Sequence, residues 1–270
     1  MQGITRRTFL ASLVLLFACR NKPKPGVEAK SSQVPAQQRL DRFVAELERE
    51  GLLNRADLLG GRVVFASEFN LPGYKVYQKD RILDSVNRSD LPYTYKAYLG
   101  PNKIDRIYVV IPDEYVDKIE NPKEKKLLRA FLFHEFVHVK DRSDIELAKK
   151  TSLAVLSRYG IDSREKARRL FLHIGHALSE LKANFRMRDF IEKDRSMTGK
   201  LQEISDKHLV SWMQAVNNWL LMIRRDYPGV LEDVKKVCVE YIRKEFYASS
   251  ETTRIEVNQV LKKAKIPLIK

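Results

Sequence analysis

The sequence predicts an α+β protein in which a small sheet of about three strands precedes a mainly helical C-terminal half. Three short runs, Arg62–Phe69, Pro92–Tyr98 and Arg106–Ile111, are rich in β-branched and aromatic residues and are bounded by glycine or proline. From Asn121 onward, apolar residues recur almost throughout at helical spacing. A chain of 270 residues, 44% of them hydrophobic, is long and apolar enough to bury a proper core.

Capping signals and apolar periodicity predict the principal helices. The first is expected over Gln38–Leu53, where large apolar residues follow the helical period. Asn121–Glu124 combines a capping asparagine, a first-turn proline and an acidic residue, so a second helix should run from there to about Lys140. Asp162–Glu165 forms a capping box that opens a third helix, which should reach about Asp189. Breaks are predicted near Tyr159-Gly160, Ser196–Gly199 and Pro228-Gly229.

Residues 1–19 are predicted to be an export signal and not part of the fold. A short cationic start with an arginine pair precedes the apolar stretch Phe9–Ala18, which is too short for a permanent membrane anchor. Thr5–Leu10 resembles the twin-arginine signature, which routes folded proteins out of the bacterial cytoplasm. Leu16–Cys19 resembles a lipobox, so Cys19 is expected to be diacylated. The alternative is a general secretory signal that leaves Cys19 unmodified.

Residues 20–37 are predicted to be a flexible tether, and residues 38–270 the folded domain. The tether is rich in lysine, proline, serine and glutamine and has almost no large apolar residue. Because two acyl chains anchor a protein durably, the expected location is the cell envelope, on the periplasmic or outer face of a membrane. The only cysteine besides Cys19 is Cys238, which lies in an apolar run and is predicted to be a buried hydrophobe.

The formal net charge of +15 favours anionic surroundings, such as phospholipid headgroups. The basic residues are spread along the chain, which is also the pattern of solvated outer helix faces. No nucleic-acid recognition motif is visible, and an exported protein seldom meets nucleic acid, so that class of partner is disfavoured.

The motif that carries chemistry is His134-Glu135-Phe136-Val137-His138, inside the second predicted helix. Its two histidines lie one turn apart on one face, close enough to share one ion. Two neutral imidazoles at this spacing bind Zn²⁺, and Glu135 beside them can take a proton from a water on the metal. Because the chain has only five histidines, a chance match to this motif is expected in roughly one such sequence in a hundred. The motif therefore predicts a hydrolase with one zinc ion.

A third protein ligand is expected from the third helix. A polar stripe of His173, His176, Glu180 and Asn184, at steps of three, four and four, runs through its otherwise apolar middle. Buried carboxylates and imidazoles are costly without partners, and a metal site would satisfy them. Glu180, His176 and His173 are therefore the candidate third ligands.

The His134–His138 motif followed by Glu180-x-x-Ala183-Asn184 resembles the gluzincin metallopeptidases. This resemblance implies a zincin-like fold and hydrolysis of peptide bonds. It favours Glu180 as the third zinc ligand beside the two histidines of the motif, with Glu135 as the general base. It covers only about residues 127–140 and 173–190, so it says little about the substrate.

The same resemblance suggests roles for the neighbouring residues. Asn184 stands where the family commonly has an aspartate that orients a ligand histidine, and an amide can still form a hydrogen bond there. If Glu180 is the third ligand, His176 is left free to be a supporting or substrate-facing group. The family's fold also places a strand beside the cleft to pair with the substrate backbone, and Arg106–Ile111 is the candidate.

Three functional classes follow from these patterns. The leading one is an envelope-anchored zinc metallopeptidase that acts on a peptide or protein substrate. The others are a non-catalytic protein stabilised by zinc and a metal-free envelope lipoprotein that binds a partner or an anionic surface. For catalysis, the residue that stabilises the oxyanion stays open among His208, Tyr241 and Tyr247.

Overall fold

The computed structural model describes residues 35–69, 91–100, 103–141, 157–158, 164–193 and 199–266. This part of the chain confirms the predicted α+β class, with a small sheet and a mainly helical C-terminal half. The strands are β1 (Val63–Phe65), β2 (Tyr93–Gly100) and β3 (Lys103–Ile111). The helices are α1 (Ala36–Arg49), α2 (Pro122–Lys140), α3 (Arg164–Lys193), α4 (Lys200–Asp226), α5 (Leu231–Tyr247) and α6 (Glu251–Lys263).

The N-terminal predictions lie mostly outside the described residues. The export signal at 1–19, with Cys19, and the tether up to residue 34 are not described. Helix α1 begins at Ala36, so the last two residues of the predicted tether are helical. The break predicted at Tyr159-Gly160 also lies outside the described part.

The chain divides into two compact units. The first contains the described residues up to Ala97 together with Arg106–Glu124. The second contains Tyr98–Asp105 and the described residues from Lys125 onward.

In the first unit, α1 packs its apolar face against β1. The buried residues of α1 recur at helical spacing, as the sequence predicts, and they are Leu40, Phe43, Val44 and Leu47. Strand β1 ends earlier than expected, because Ala66–Glu68 forms a 3₁₀ turn. The Asp113 carboxylate holds this turn by accepting hydrogen bonds from the backbone nitrogen and the hydroxyl of Ser67, at 3.0 and 2.9 Å.

The sheet has the order β1-β3-β2, so β3 is its central strand. The β1–β3 pair is parallel, with Val63 opposite Val109 and Phe65 opposite Ile111. This arrangement corrects the prediction that Arg106–Ile111 pairs with a substrate backbone. Because β3 has a neighbour on either side, it is not an edge to which another strand can add.

In the second unit, α3 is the helix on which the others assemble, since it contacts α4, α5 and α6. Turns fall close to the predicted breaks. Gly199, with a φ of 92°, precedes α4, and Pro228–Val230 forms a 3₁₀ turn between α4 and α5. Ser250 caps α6 by accepting a hydrogen bond from the backbone nitrogen of Thr253 at 3.1 Å.

Cys238 lies in the core of the second unit with no exposed surface, which confirms its prediction as a buried hydrophobe. Burial raises the pKa of its thiol to about 12. Over the described residues, none of the helices combines the length and the apolar character needed to cross a membrane.

Candidate metal centre

Helix α2 places two imidazole rings side by side on a buried face. Asn121 starts the helix by accepting hydrogen bonds from the backbone nitrogens of Lys123 and Glu124, at 3.0 and 3.3 Å. One turn separates His134 from His138, and their Nε2 atoms lie 3.2 Å apart. Both side chains are buried, with 7% and 8% of their surface exposed. The helical spacing of the motif therefore yields two nitrogen donors that converge on one point.

Helix α3 brings a carboxylate to the same point. Glu180 Oε2 lies 3.2 Å from His134 Nε2, and Glu180 Oε1 lies 3.4 Å from His138 Nε2. One ligand atom from each of the three residues lies within 4.8 Å of the others. The described structure thus contains a His134, His138 and Glu180 cluster that could hold a metal ion.

The spacing of these atoms fits a bound ion. Tetrahedral zinc, with bonds of about 2.0–2.2 Å to nitrogen and oxygen, separates any two ligand atoms by about 3.3 Å. The two imidazole nitrogens are 3.2 Å apart, and each lies 3.2 or 3.4 Å from a different oxygen of the Glu180 carboxylate, so the nitrogen pair already has this spacing and the carboxylate borders it. The three side chains are therefore grouped closely enough to hold one ion.

The charge of Glu180 suits a cation site. Burial alone would raise its pKa, but the charge of His138 and hydrogen bonds from His134 and His138 outweigh burial. The pKa of Glu180 is therefore held well below its usual value. An ionised carboxylate at this position is an oxygen ligand with the charge that a metal cation requires.

The two histidines of the polar stripe, His173 and His176, contact tryptophan rings of α4. His176 Nε2 is 3.6 Å from Glu180 Oε1, and 43% of the His176 side chain is exposed. Its ring meets Trp212 edge-on, with the ring centroids 5.3 Å apart. His173 stacks on Trp219 with the centroids 4.8 Å apart and the planes 4° from parallel. Of the three candidate third ligands, Glu180 is the one that the structure groups with His134 and His138.

A second set of polar groups contacts His138 at Nδ1, the ring nitrogen opposite the one that faces Glu180. His138 Nδ1 lies 3.0 Å from the hydroxyl of Ser179, which in turn lies 3.4 Å from Asp141 Oδ2. Asp141 also lies 3.3 Å from Lys182 Nζ and accepts a hydrogen bond from the hydroxyl of Tyr241 at 3.4 Å. Sequence reasoning missed Ser179 and Asp141. The available signal was positional, because Ser179 directly precedes Glu180 and Asp141 follows His138 by three residues.

Asn184 forms hydrogen bonds other than the expected one to a histidine of the motif. Its amide donates to the backbone carbonyl of Ser205 at 3.0 Å, and its carbonyl oxygen accepts from Ser205 Oγ and Arg188 Nε at 3.3 and 3.2 Å. The two bonds to Ser205 tie α3 to α4, and the bond from Arg188 lies within α3. The prediction that Asn184 orients a ligand histidine is therefore corrected, because the residue points to α4.

The three candidates for stabilising an oxyanion have different surroundings in the structure. The ring centroid of His208, on α4, is 6.5 Å from that of His134. Burial lowers the pKa of His208 to about 4, and the nearby charge of His134 adds to this effect, so the ring is neutral at pH 7. The hydroxyl of Tyr241 reaches Asp141, and 67% of Tyr247 is exposed.

Glu135 follows His134 on α2 and is partly buried.

Comparisons with protein-family models, with curated proteins and with solved structures find no match to this chain. The case for a metal centre therefore depends on the residues and on their geometry.

Proposed function

We propose that this chain is a zinc-dependent metallopeptidase of the gluzincin type. The observation that carries the proposal is the convergence of two imidazole nitrogens from one helix and a carboxylate from another, at 3.2 to 3.4 Å. Two histidines and a glutamate form the usual ligand set of catalytic zinc in this type of peptidase, in which the fourth position stays open. Glu135 supplies the remaining carboxylate that the reaction requires.

In this proposal His134, His138 and Glu180 hold the ion. Bound zinc supplies Lewis acidity and makes water acidic enough to lose a proton at neutral pH. Glu135 would be the general base that takes a proton from the attacking water and the general acid that returns it to the leaving amine nitrogen. His208, neutral at pH 7, could donate at most one hydrogen bond to a substrate and could not supply a positive charge.

We further propose that the protein acts in the bacterial cell envelope as a lipoprotein anchored through Cys19. The twin-arginine-like and lipobox-like segments of the sequence support this location. Labelling with radioactive palmitate tests it, because Cys19→Ala should abolish labelling while Cys238→Ala should not. Unlabelled wild-type protein would contradict the anchor and leave the peptidase proposal standing.

The alternative functions use the same cluster in another way. A protein stabilised by zinc would need His134, His138 and Glu180 but not Glu135, because only the ligands hold the ion. A metal-free binding protein would need neither the three ligand candidates nor Glu135 for its function. Glu135 is therefore the residue that separates a peptidase from a scaffold.

The decisive experiment compares wild type with Glu135→Gln on a denatured protein substrate. We expect the variant to lose activity by about 100- to 10,000-fold while retaining its zinc, because the amide cannot accept the proton. Glu124→Gln, which changes a carboxylate in the first turn of the same helix, is the matched control and should keep full activity. Equal rates for wild type and Glu135→Gln, or a wild type inert on broad substrates, would contradict the peptidase.

A further inference from the structure

Three side chains form a buried line that begins at the outer nitrogen of His138. Its Nδ1 atom is 3.0 Å from Ser179 Oγ, and Ser179 Oγ is 3.4 Å from Asp141 Oδ2. All three residues are buried, with exposed fractions of 8%, 2% and 5% respectively. Because water has little access to any of them, these polar groups need hydrogen-bond partners within the protein.

The number of hydrogens sets the direction of this line. Ser179 has a single hydroxyl hydrogen, which it donates to Asp141, an acceptor when ionised. The serine oxygen can then only accept from His138, so His138 Nδ1 must carry the hydrogen. A ring that binds a metal ion must be neutral, so with the hydrogen on Nδ1 the metal-binding lone pair belongs to Nε2, the atom that faces His134 and Glu180.

Asp141 is held in place from two other directions. Lys182 Nζ lies 3.3 Å from its Oδ1 atom and provides the countercharge that a buried carboxylate needs. The Tyr241 hydroxyl donates to Oδ2 at 3.4 Å from helix α5. The end of the line therefore has charge and hydrogen-bond partners of its own, which lets it act as a fixed acceptor.

We propose that Ser179 and Asp141 form a positioning relay that fixes the tautomer and ring orientation of His138 for metal binding. This inference rests on the proposed zinc site. Partners of this kind, placed behind a ligand histidine, typically change metal affinity by about 10- to 100-fold. The relay occupies the part that the family resemblance would give to Asn184, whose amide is bound to α4.

The structure supplies a matched control for the key serine. Ser205 is also buried, and its hydroxyl donates to Asn184 at 3.3 Å, so it belongs to a hydrogen-bonded pair that includes no candidate ligand. Ser179→Ala and Ser205→Ala each remove one buried hydroxyl. A purely structural role for Ser179 predicts similar behaviour of the two variants, whereas the relay predicts that only one of them affects the metal.

The first readout is the zinc dissociation constant of the full-length protein, measured by competition with a chromophoric chelator. We expect Ser179→Ala to weaken zinc binding by about 10- to 100-fold and Ser205→Ala to leave it nearly unchanged. Equal zinc affinity of Ser179→Ala and wild type would overturn the relay. A wild type that binds no zinc would instead remove the metal centre itself, so the two failures are distinguishable.

The second readout uses wild type and does not depend on the folding of a variant. In zinc-loaded protein, the hydrogen on His138 Nδ1 should give a slowly exchanging imidazole resonance, because it is buried and bonded to Ser179. Absence of such a resonance in zinc-loaded wild type would overturn the relay even if the affinities changed. Where the variants fold, the resonance should disappear in Ser179→Ala and persist in Ser205→Ala.

Discussion

At the scale of single residues, the centre combines groups that are unfavourable to bury alone. Two imidazoles and a carboxylate lie within 3.2 to 3.4 Å of one another. His134 Nδ1 is buried and has no hydrogen-bond partner among the described residues. An arrangement in which so many polar atoms converge costs stability, and a bound cation would offset that cost.

His208 gives the clearest prediction of pH dependence, for the metal-free protein. Its pKa falls from 6.5 to about 4 on folding, so between these values the unfolded chain binds a proton that the folded chain does not. Stability is therefore fully present above pH 6.5 and falls as the pH drops toward 4, by roughly 3 kcal/mol in total. His208→Gln should flatten this part of the curve in urea unfolding measured at several pH values.

His173→Gln serves as the control for that change, since it alters another histidine of the second unit and leaves His208 in place. Its curve should keep the wild-type slope between pH 4 and 6.5. Parallel curves for His208→Gln and wild type would show that His208 is not held neutral by its surroundings.

At the scale of the helices, α3 does most of the organising. The sequence presents its polar residues as one stripe, and the structure divides them among three environments. Glu180, with His176 beside it, faces His134 and His138, whereas His173 stacks on Trp219 and Asn184 bonds to α4. Steps of three and four residues drift around a helix of 3.6 residues per turn, so such a stripe can meet more than one neighbour.

Asn184→Ala tests this division directly. The change removes hydrogen bonds to Ser205 and Arg188, so we expect it to destabilise the protein by about 1–3 kcal/mol in urea unfolding. Zinc affinity should stay nearly as in wild type, because the hydrogen bonds of the amide among the described residues go to Ser205 and Arg188 and not to His134 or His138. A loss of zinc affinity of about 10-fold or more, with little change in stability, would return Asn184 to the orienting role.

Gly61 tests the close approach of the chain to the central strand in the first unit. A Cβ atom at this position would lie 2.0 Å from the carbonyl oxygen of Ile107, a backbone atom that cannot move aside alone. Gly61→Ala should therefore destabilise the protein by about 1–3 kcal/mol or more. Gly60→Asn is the comparison: Gly60 has open space around it but a φ of 79°, so this change introduces backbone strain without a steric clash, and asparagine keeps that strain small. Equal urea-unfolding midpoints for Gly61→Ala and wild type would contradict the close contact between Gly61 and Ile107.

At the scale of the whole molecule, local patterns predicted more than contacts between distant residues. The strands and helices follow from periodicity and capping, and the pairing of His134 with His138 follows from their spacing within one helix. The central position of β3 depends on which strands pair, which no local pattern in Arg106–Ile111 reveals. The contact between Ser179 and His138 likewise joins two helices, and a serine within an apolar helix gives little indication of such a partner.

The central claim is that His134, His138 and Glu180 hold one metal ion, and its most direct test is the metal content of purified protein. Elemental analysis should find about one zinc per chain in wild type and little in His134→Ala or Glu180→Ala. Glu203→Ala, which removes an exposed carboxylate on α4, should keep the wild-type content. Wild type without metal, or Glu180→Ala that retains a full equivalent, would contradict the claim.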